Sequence, residues 1–292
     1  MTQRSIALTS LQGLYRNQDA VGRLQQQLTA GRTISRPSDS PTGTNQSMII
    51  RADASGAAQY ARNIADGSAF LETTDSTLQS MLQQTRQARS LVVQAASTGG
   101  MSTSSAGAIR TELEGLRTSL LGLANAVVQG RPVFGGPTGG TVAYADDGTF
   151  VGRTDGVLTR RVSDREDIRI DVTGPEAFGT GPTGLFAVLE RAAAAAGAQD
   201  ATALQTALDD LDGVMERMLT ATADIGTRAA RMDRAAEANT DLQLSLKQQL
   251  AGVEDVDLPK TIMELNLQQV GYQVALQATA QVIQPSLAEF LR

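Results

Sequence analysis

Apolar residues recur at alternating four- and three-residue steps in several stretches of the chain, the spacing of helices that pack along a continuous seam. The first such stretch lies between residues 7 and 28, with glutamine at two seam positions. At about 1.5 Å per residue it predicts a rod about 35 Å long, which Gly31 can terminate. The seam positions are Ala7, Leu11, Leu14, Gln18, Val21, Gln25 and Leu28.

The last 35 residues predict a second terminal helix, whose apolar positions form two stripes. Asp257 can cap this helix, Pro259 suits its first turn, and Pro285 predicts an end near Ile283. A helix that ends a soluble domain normally buries one stripe, so we expect one neighbour from this chain and one from another chain. The first stripe is Ile262, Leu265, Tyr272, Leu276 and Ile283; the second, nearly opposite, is Met263, Leu267, Val270 and Val274.

Further helices are predicted between the two rods. Residues 44–97 have a helical pattern in which we expect one break, and residues 109–127 carry a complete heptad set. Helix resumes at Leu185, and from Leu204 to Val253 the heptad spacing continues for about 75 Å. The seam residues between 222 and 243 are small or polar, which predicts close but weak packing there.

A β-rich segment interrupts the helices between residues 130 and 184, where glycine, proline and turn dipeptides are dense. The clearest strand is DIRIDV, with Ile168, Ile170 and Val172 on one face and Arg169 and Asp171 on the other. A weaker strand is predicted at residues 157–162.

These elements predict a mainly α-helical fold with an inserted small antiparallel β domain. Because the helical stretches flank the β segment on both sides, the N- and C-terminal segments must run antiparallel and form a long coiled-coil or helical-bundle core. We divide the chain into terminal helical rods at 1–42 and 245–292, with a hinge at 31–45, a helical bundle at 43–129 and 185–244, and a β-rich domain at 130–184.

Composition excludes several classes of function. The chain has no cysteine and no histidine, which removes catalytic thiols, imidazole bases, disulfides and zinc sites built on those residues. The net charge of −6 argues against nucleic acid or an anionic membrane as a partner. We expect no membrane span and no cleaved secretory signal, because no apolar run is long enough.

The candidate catalytic and ligand motifs are weak. GGPTGG at 135–140 lacks the lysine of a phosphate-binding loop, and the acidic turn at 146–148 lacks the remaining ligands of a calcium loop. The carboxylates at 209, 210 and 212 fit a solvated helix face, as do the arginines at 228, 231 and 234. Since nothing combines nucleophile, base and oxyanion donors, we expect neither an enzyme nor a cofactor or metal.

Residues 28–43, LTAGRTISRPSDSPTG, resemble the flagellin superfamily, in which a rod ends in leucine, small residues, glycine, a basic residue and isoleucine before a polar hinge. Residues 63–78, 86–97 and the last 40 residues are similar to the same superfamily. Two motifs resemble its hook–filament junction branch: the hinge residues Arg36, Pro37, Ser38, Asp39 and Pro41, and the step into the β region at Phe134, Gly135 and Gly136. The resemblance covers about residues 1–145 and 200–292.

This resemblance implies a structural axial protein that forms a ring between the hook and the filament of a bacterial flagellum. The partners it implies are neighbouring copies of the chain, another hook-associated protein, flagellin, and a cytoplasmic export chaperone at the C-terminal region. It also implies export of the unfolded chain by the flagellar type III pathway, so that the protein is cytoplasmic before export and extracellular afterwards.

The sequence therefore places the assembly interface on the two terminal helices. We expect Leu11, Leu14, Val21 and Leu28 to pair with one stripe of the last helix, while its other stripe meets neighbouring subunits. Two alternatives stay open: flagellin itself, and, from another class, a cytoplasmic coiled-coil signalling protein.

Overall fold

The computed structural model describes the backbone of residues 3–97 and 102–290, and the side chains of residues 8–97 and 102–280. In that part of the chain no helix is long and apolar enough to cross a membrane. The helices are α1 Gln3–Ala30, α2 Pro41–Ser97, α3 Thr103–Ala124, α4 Gly174–Phe178, α5 Leu185–Ala198, α6 Ala201–Glu254 and α7 Leu258–Phe290, with a 3₁₀ turn at Gly181–Thr183. The strands are β1 Val127–Val128, β2 Arg131–Pro132, β3 Thr159–Arg161 and β4 Asp167–Arg169.

The predicted fold class is confirmed: long helices dominate, and the strands form two small antiparallel pairs, β1 with β2 and β3 with β4. The chain divides into two compact units, one formed by Met1–Gly56 with Leu242–Arg292 and the other by Ala57–Asp241. The three-domain boundaries drawn from the sequence stay a prediction.

The core of the unit 57–241 forms where α2, α3, α5 and α6 bury their apolar faces. Helix α2 supplies Ala57, Ile64, Leu71 and Leu78, each seven residues after the last, so one side of the helix stays buried throughout. The break that we expected in residues 44–97 is wrong, because this regular spacing lets α2 continue as a single helix.

Helix α6 is packed more tightly in its first half than in its second. Buried side chains follow every three or four residues from Leu204 to Ile225, after which Met232 and Asn239 are the next ones in this unit. The Asn239 amide donates to the carbonyl of Ala57 at 3.1 Å, so a polar group occupies the seam where the sequence predicted weak packing.

Helix α3 begins and ends earlier than predicted because polar residues cap both ends. The hydroxyl of Ser102 accepts from the N–H of Ser105 at 3.2 Å, which starts the helix six residues before the expected position. Asn125 ends it, and its backbone N–H donates to Leu121 at 3.1 Å. The alanine-rich helix α5 packs closely against α3.

The DIRIDV strand forms, but its β-ladder covers only Asp167–Arg169, which pairs with Thr159–Arg161. Ile168, Ile170 and Val172 are buried as predicted. Asp171, on the opposite face of the strand, is also buried, because its carboxylate accepts from the N–H of Leu158 at 3.0 Å and from Arg169 at 2.9 Å.

Helix α7 continues to Phe290, past the end expected near Ile283. Pro285 lacks an N–H and removes one backbone hydrogen bond, but the helical bonds on either side of it continue.

Truncation of Leu78 tests the buried seam of α2. Leu78 is fully buried, so Leu78→Ala leaves a cavity and should lower the free energy of unfolding by about 2–5 kcal/mol. Leu219→Ala in α6 is the matched control, because Leu219 is 49% exposed and its truncation should change stability by about 0.5 kcal/mol or less. Urea denaturation followed by circular dichroism measures both; similar losses would contradict the burial pattern.

Candidate assembly site

The N-terminal helix α1 and the C-terminal helix α7 pack against each other in antiparallel orientation. Arg32, just after α1, forms an antiparallel bridge with Asp255, just before α7. Farther along, the amide of Gln268 donates a hydrogen bond to the side-chain oxygen of Asn17. The two chain ends therefore form one two-helix element.

Helix α1 meets α7 along a seam that overlaps the predicted one but is rotated from it. Leu14, Val21 and Leu28 belong to both seams. Leu11, which we expected to pair with α7, is 43% exposed, and the predicted seam glutamines are exposed as well. The half-buried seam residues are Ser10, Leu14, Asn17, Val21, Leu24 and Leu28.

Helix α7 presents one seam to α1 and leaves most of its apolar side chains outside it. Leu265 and Tyr272 face α1, but Ile262 and Leu276, which we placed on the same stripe, are exposed because they lie roughly 60–100° around the helix from the seam. The side chain of Ile283 lies outside the described residues. The seam residues are Thr261, Leu265, Gln268, Tyr272, Ala275 and Thr279.

The second stripe of α7 is an unpartnered apolar face. Met263, Leu267, Val270 and Val274 are 57–72% exposed and lie nearly opposite the seam with α1. We name these four residues the outer stripe of α7. Contiguous exposed apolar residues of this kind mark surfaces that bind another protein.

The predicted hinge residues form the turn between α1 and α2. The Asp39 carboxylate accepts from the N–H groups of Ser35 at 3.0 Å and Arg36 at 2.8 Å, which folds the turn back on itself. Pro37 and Ser38 lie within the turn, and Pro41 is the first residue of α2, where its missing N–H costs nothing.

This turn is also hydrogen-bonded to the segment between α6 and α7. The N–H of Thr33 donates to the carbonyl of Glu254 at 2.7 Å, and the N–H of Val256 donates to Gly31 at 3.1 Å. The carboxylate of Glu254 is buried and pairs with Arg51 of α2 at 2.7 Å. Both terminal helices thus leave from one hydrogen-bonded elbow.

The step into the β region is tightly built. Phe134 is fully buried and packs edge-to-face on Phe178, with ring centroids 4.9 Å apart. The carbonyl of Gly135 accepts from the N–H of Arg153 at 2.8 Å. Gly136 has a φ of +66°, a conformation that favours glycine, and a Cβ at Gly135 would lie 2.6 Å from the ring of Pro132, so both positions require glycine.

Asn125 organises this region, and sequence reasoning missed it. Its side-chain oxygen accepts from the N–H groups of Ala143 and Tyr144, both at 2.8 Å, and its amide donates to the carbonyl of Tyr144 at 2.9 Å. Burial raises the pKa of the Tyr144 hydroxyl. Because these partners lie 18 and 19 residues away, spacing alone could not reveal the role of Asn125.

The carboxylates singled out in the sequence have structural partners. Asp210 pairs with Arg191 at 2.6 Å, and Asp212 pairs with Arg89 at 2.5 Å. The hydrogen bond from Arg89 holds the pKa of Asp212 below its ordinary value. Among the described residues, no group of three or more acidic side chains is placed to hold a metal ion.

Both ends of the chain match family models. Residues 2–136 match the model described as the bacterial flagellin N-terminal helical region, and residues 208–291 match the bacterial flagellin C-terminal helical region. The resemblance to the flagellin superfamily predicted from the sequence is thereby confirmed.

Full-length relatives bear the name of the junction branch. The chain is 26% identical to flagellar hook-associated protein 3 of Escherichia coli strain K12 and covers 92% of both chains. It is 25% identical to the protein of the same name from Salmonella typhimurium strain LT2, with 91% of both chains covered. The predicted resemblance to the junction branch is confirmed by these two relatives.

The fold is shared with solved structures of proteins named FlgL. The FlgL structure of Bacillus cereus superposes with a TM-score of 0.60 at 22% identity, over 70% of this chain and 99% of that one. FlgL of Xanthomonas campestris gives 0.62 at 14% identity, over 69% and 99%.

Replacement of Asn125 tests the organisation of the β region. Asn125→Ala removes three side-chain hydrogen bonds and leaves two backbone N–H groups without that acceptor, which should cost roughly 2–4 kcal/mol of folding free energy. Asn45→Ala, at an exposed site on α2, should cost much less. Urea denaturation measures the free energy of unfolding of both variants. Equal losses would show that Asn125 does not organise the β region.

Proposed function

Because this chain belongs to the bacterial flagellin family, we propose that it is a structural subunit of the flagellum that joins the hook to the filament. The observation that carries the proposal is its similarity over about nine-tenths of its length to two hook-associated proteins 3. The subunit works by helix packing, and we assign no bond-making chemistry to it.

The two-helix element of α1 and α7 supplies the contacts with other subunits. Leu14, Val21 and Leu28 hold α1 against Leu265 and Tyr272 within the chain. The outer stripe of α7 then meets neighbouring copies. Burying one such side chain contributes about 1.5–3 kcal/mol, so four of them offset the ordering of a helical interface.

Assembly surrounds the chain with several kinds of partner. Neighbouring copies form a ring, with another hook-associated protein on the hook side and flagellin on the filament side. Before export the outer stripe of α7 is an exposed apolar face in the cytoplasm, so an export chaperone that covers the C-terminal region protects it. The mature protein is then extracellular.

The hinge and the β region complete the proposed subunit. The turn at 31–45 is the hinge that connects the terminal rods at 1–42 and 245–292 to the helical bundle at 43–129 and 185–244. The β-rich domain at 130–184 starts at Phe134, Gly135 and Gly136. It lies outside the residues that match either terminal model from residue 137 onward.

Flagellin itself is the second candidate, because both matching family models carry its name. The full-length relatives favour the junction role. A cytoplasmic coiled-coil signalling protein is disfavoured, since heptad seams alone would not produce matches to both flagellin terminal regions.

The outer stripe can be tested separately from the internal seam. Val274→Asp places a charge on the exposed stripe, so the chain should fold and be exported while filament attachment is lost. Leu265→Asp places the charge in the α1–α7 seam and should also separate the two helices. Gln269→Asp, exposed on the same helix, is the control that should keep attachment.

Motility, electron microscopy of the cell surface and detection of the secreted chain give the readouts. If cells carrying Val274→Asp formed normal filaments, the outer stripe would not be part of the assembly interface. The measurements of folding and export would be unaffected by that result.

Self-assembly of the purified chain separates the two candidates. A junction subunit should stop at short or ring-like assemblies, because its two ends meet different proteins, whereas flagellin polymerises into long filaments. Negative-stain electron microscopy at rising protein concentration, with and without filament seeds, measures this. Long filaments of the chain alone would favour flagellin.

A further inference from the structure

Helix α1 could bury almost as many apolar groups on a different face from the one it uses. The observed and predicted seams share Leu14, Val21 and Leu28, and each adds one further leucine. The observed seam adds Leu24, and the predicted seam adds Leu11, which is 43% exposed. A rotation of α1 by about 50° around its axis would exchange them. Hydrophobic burial therefore does not by itself choose between the two faces.

The polar residues differ between the faces. In the observed arrangement Asn17 is half-buried in the seam, and its side-chain oxygen accepts from the amide of Gln268, which is half-buried on α7. One hydrogen bond thus joins two seam amides across the helix pair. A paired polar side chain at such a position is a known means of specifying one arrangement of a coiled coil.

The rotated arrangement would satisfy its polar residues less well. Gln18 would approach Gln268 in place of Asn17, but its side chain is one methylene longer and loses more rotamer freedom when held. An antiparallel register through Asn17 and Gln268 brings Leu24 level with Thr261, which is 6% exposed. Rotation would move Gln25 into that buried layer. Its amide would then lose its hydrogen bonds to water, which costs free energy.

We propose that Asn17 and Gln268 are the specificity-determining pair that selects the face of α1 packed against α7. The selection has a consequence for the surface of the element, since Leu8, Leu11 and Tyr15 remain exposed on the outside of α1. This inference goes beyond the flagellar role and holds whether or not that role is correct, because it concerns pairing within one chain.

The absence of cysteine from the sequence makes the face of α1 directly measurable. Ser10→Cys puts a thiol in the observed seam, and Gln25→Cys puts one at an exposed position that would enter the rotated seam. Neither change removes an apolar residue. In the otherwise unchanged full-length chain, the rate of reaction with a soluble maleimide should be severalfold higher for Gln25→Cys than for Ser10→Cys.

Loss of Asn17 from the amide pair should shift this pattern in opposite directions at the two thiols. In the Asn17→Ala background the Gln268 amide loses its partner, so a rotation that brings Gln18 to it should raise the reaction rate at position 10 and lower it at position 25. The double variant Asn17→Ala/Gln268→Ala should restore the original order, because the seam then contains no amide that needs a partner. Gln12→Ala/Gln269→Ala, which removes two exposed amides, is the matched control and should leave both rates unchanged.

Any other outcome would overturn the proposal. Unchanged rates in the Asn17→Ala background would mean that leucine packing sets the face of α1. A rise at both positions would mean that the amides hold the helices together without choosing a face. Equal rates in the unaltered background would mean that α1 has no fixed face in the isolated chain. None of these outcomes bears on the flagellar assignment, which the attachment test decides separately.

Discussion

The antiparallel pairing of the chain's two ends is the constraint on which the proposed function depends. Because α1 packs on one face of α7, the outer stripe of that helix stays exposed. A single helix with two exposed apolar stripes would be unfavourable in water, whereas the paired helix leaves one exposed stripe, of the kind that commonly binds another protein. The pairing therefore buries one face of α7 and leaves the outer stripe exposed on the opposite side.

In both units of the chain, hydrogen bonds from amide side chains add to the apolar packing. In the terminal helices, Asn17 and Gln268 meet in a seam whose leucines would allow another face. In the other unit, Asn239 bonds to Ala57 within a long helical seam, and Asn125 joins the end of α3 to residues 143 and 144. Each of these amides forms at least one hydrogen bond to a residue that is distant in the sequence.

The connections between elements depend on short-range geometry. Asp39 closes the turn after α1 by accepting two backbone N–H groups, and Gly136 adopts a positive φ at the start of the β region. The elbow also includes Glu254, which lies more than 200 residues away in the chain. A segment that looks like a simple polar loop in the sequence is therefore held by both ends of the molecule.

Periodicity alone determined that this protein is built from long helices around a small β insertion, because a helical seam repeats at a spacing that any window of the sequence reveals. It also located the buried strand residues Ile168 and Ile170 and the outer stripe of α7. The tertiary structure alone decided that Leu11 faces outward, that Asp171 is buried and that Asn125 binds a distant loop. The reason is physical: a repeat defines a set of possible faces on one helix, but the choice among them depends on polar partners contributed by residues far away in the sequence.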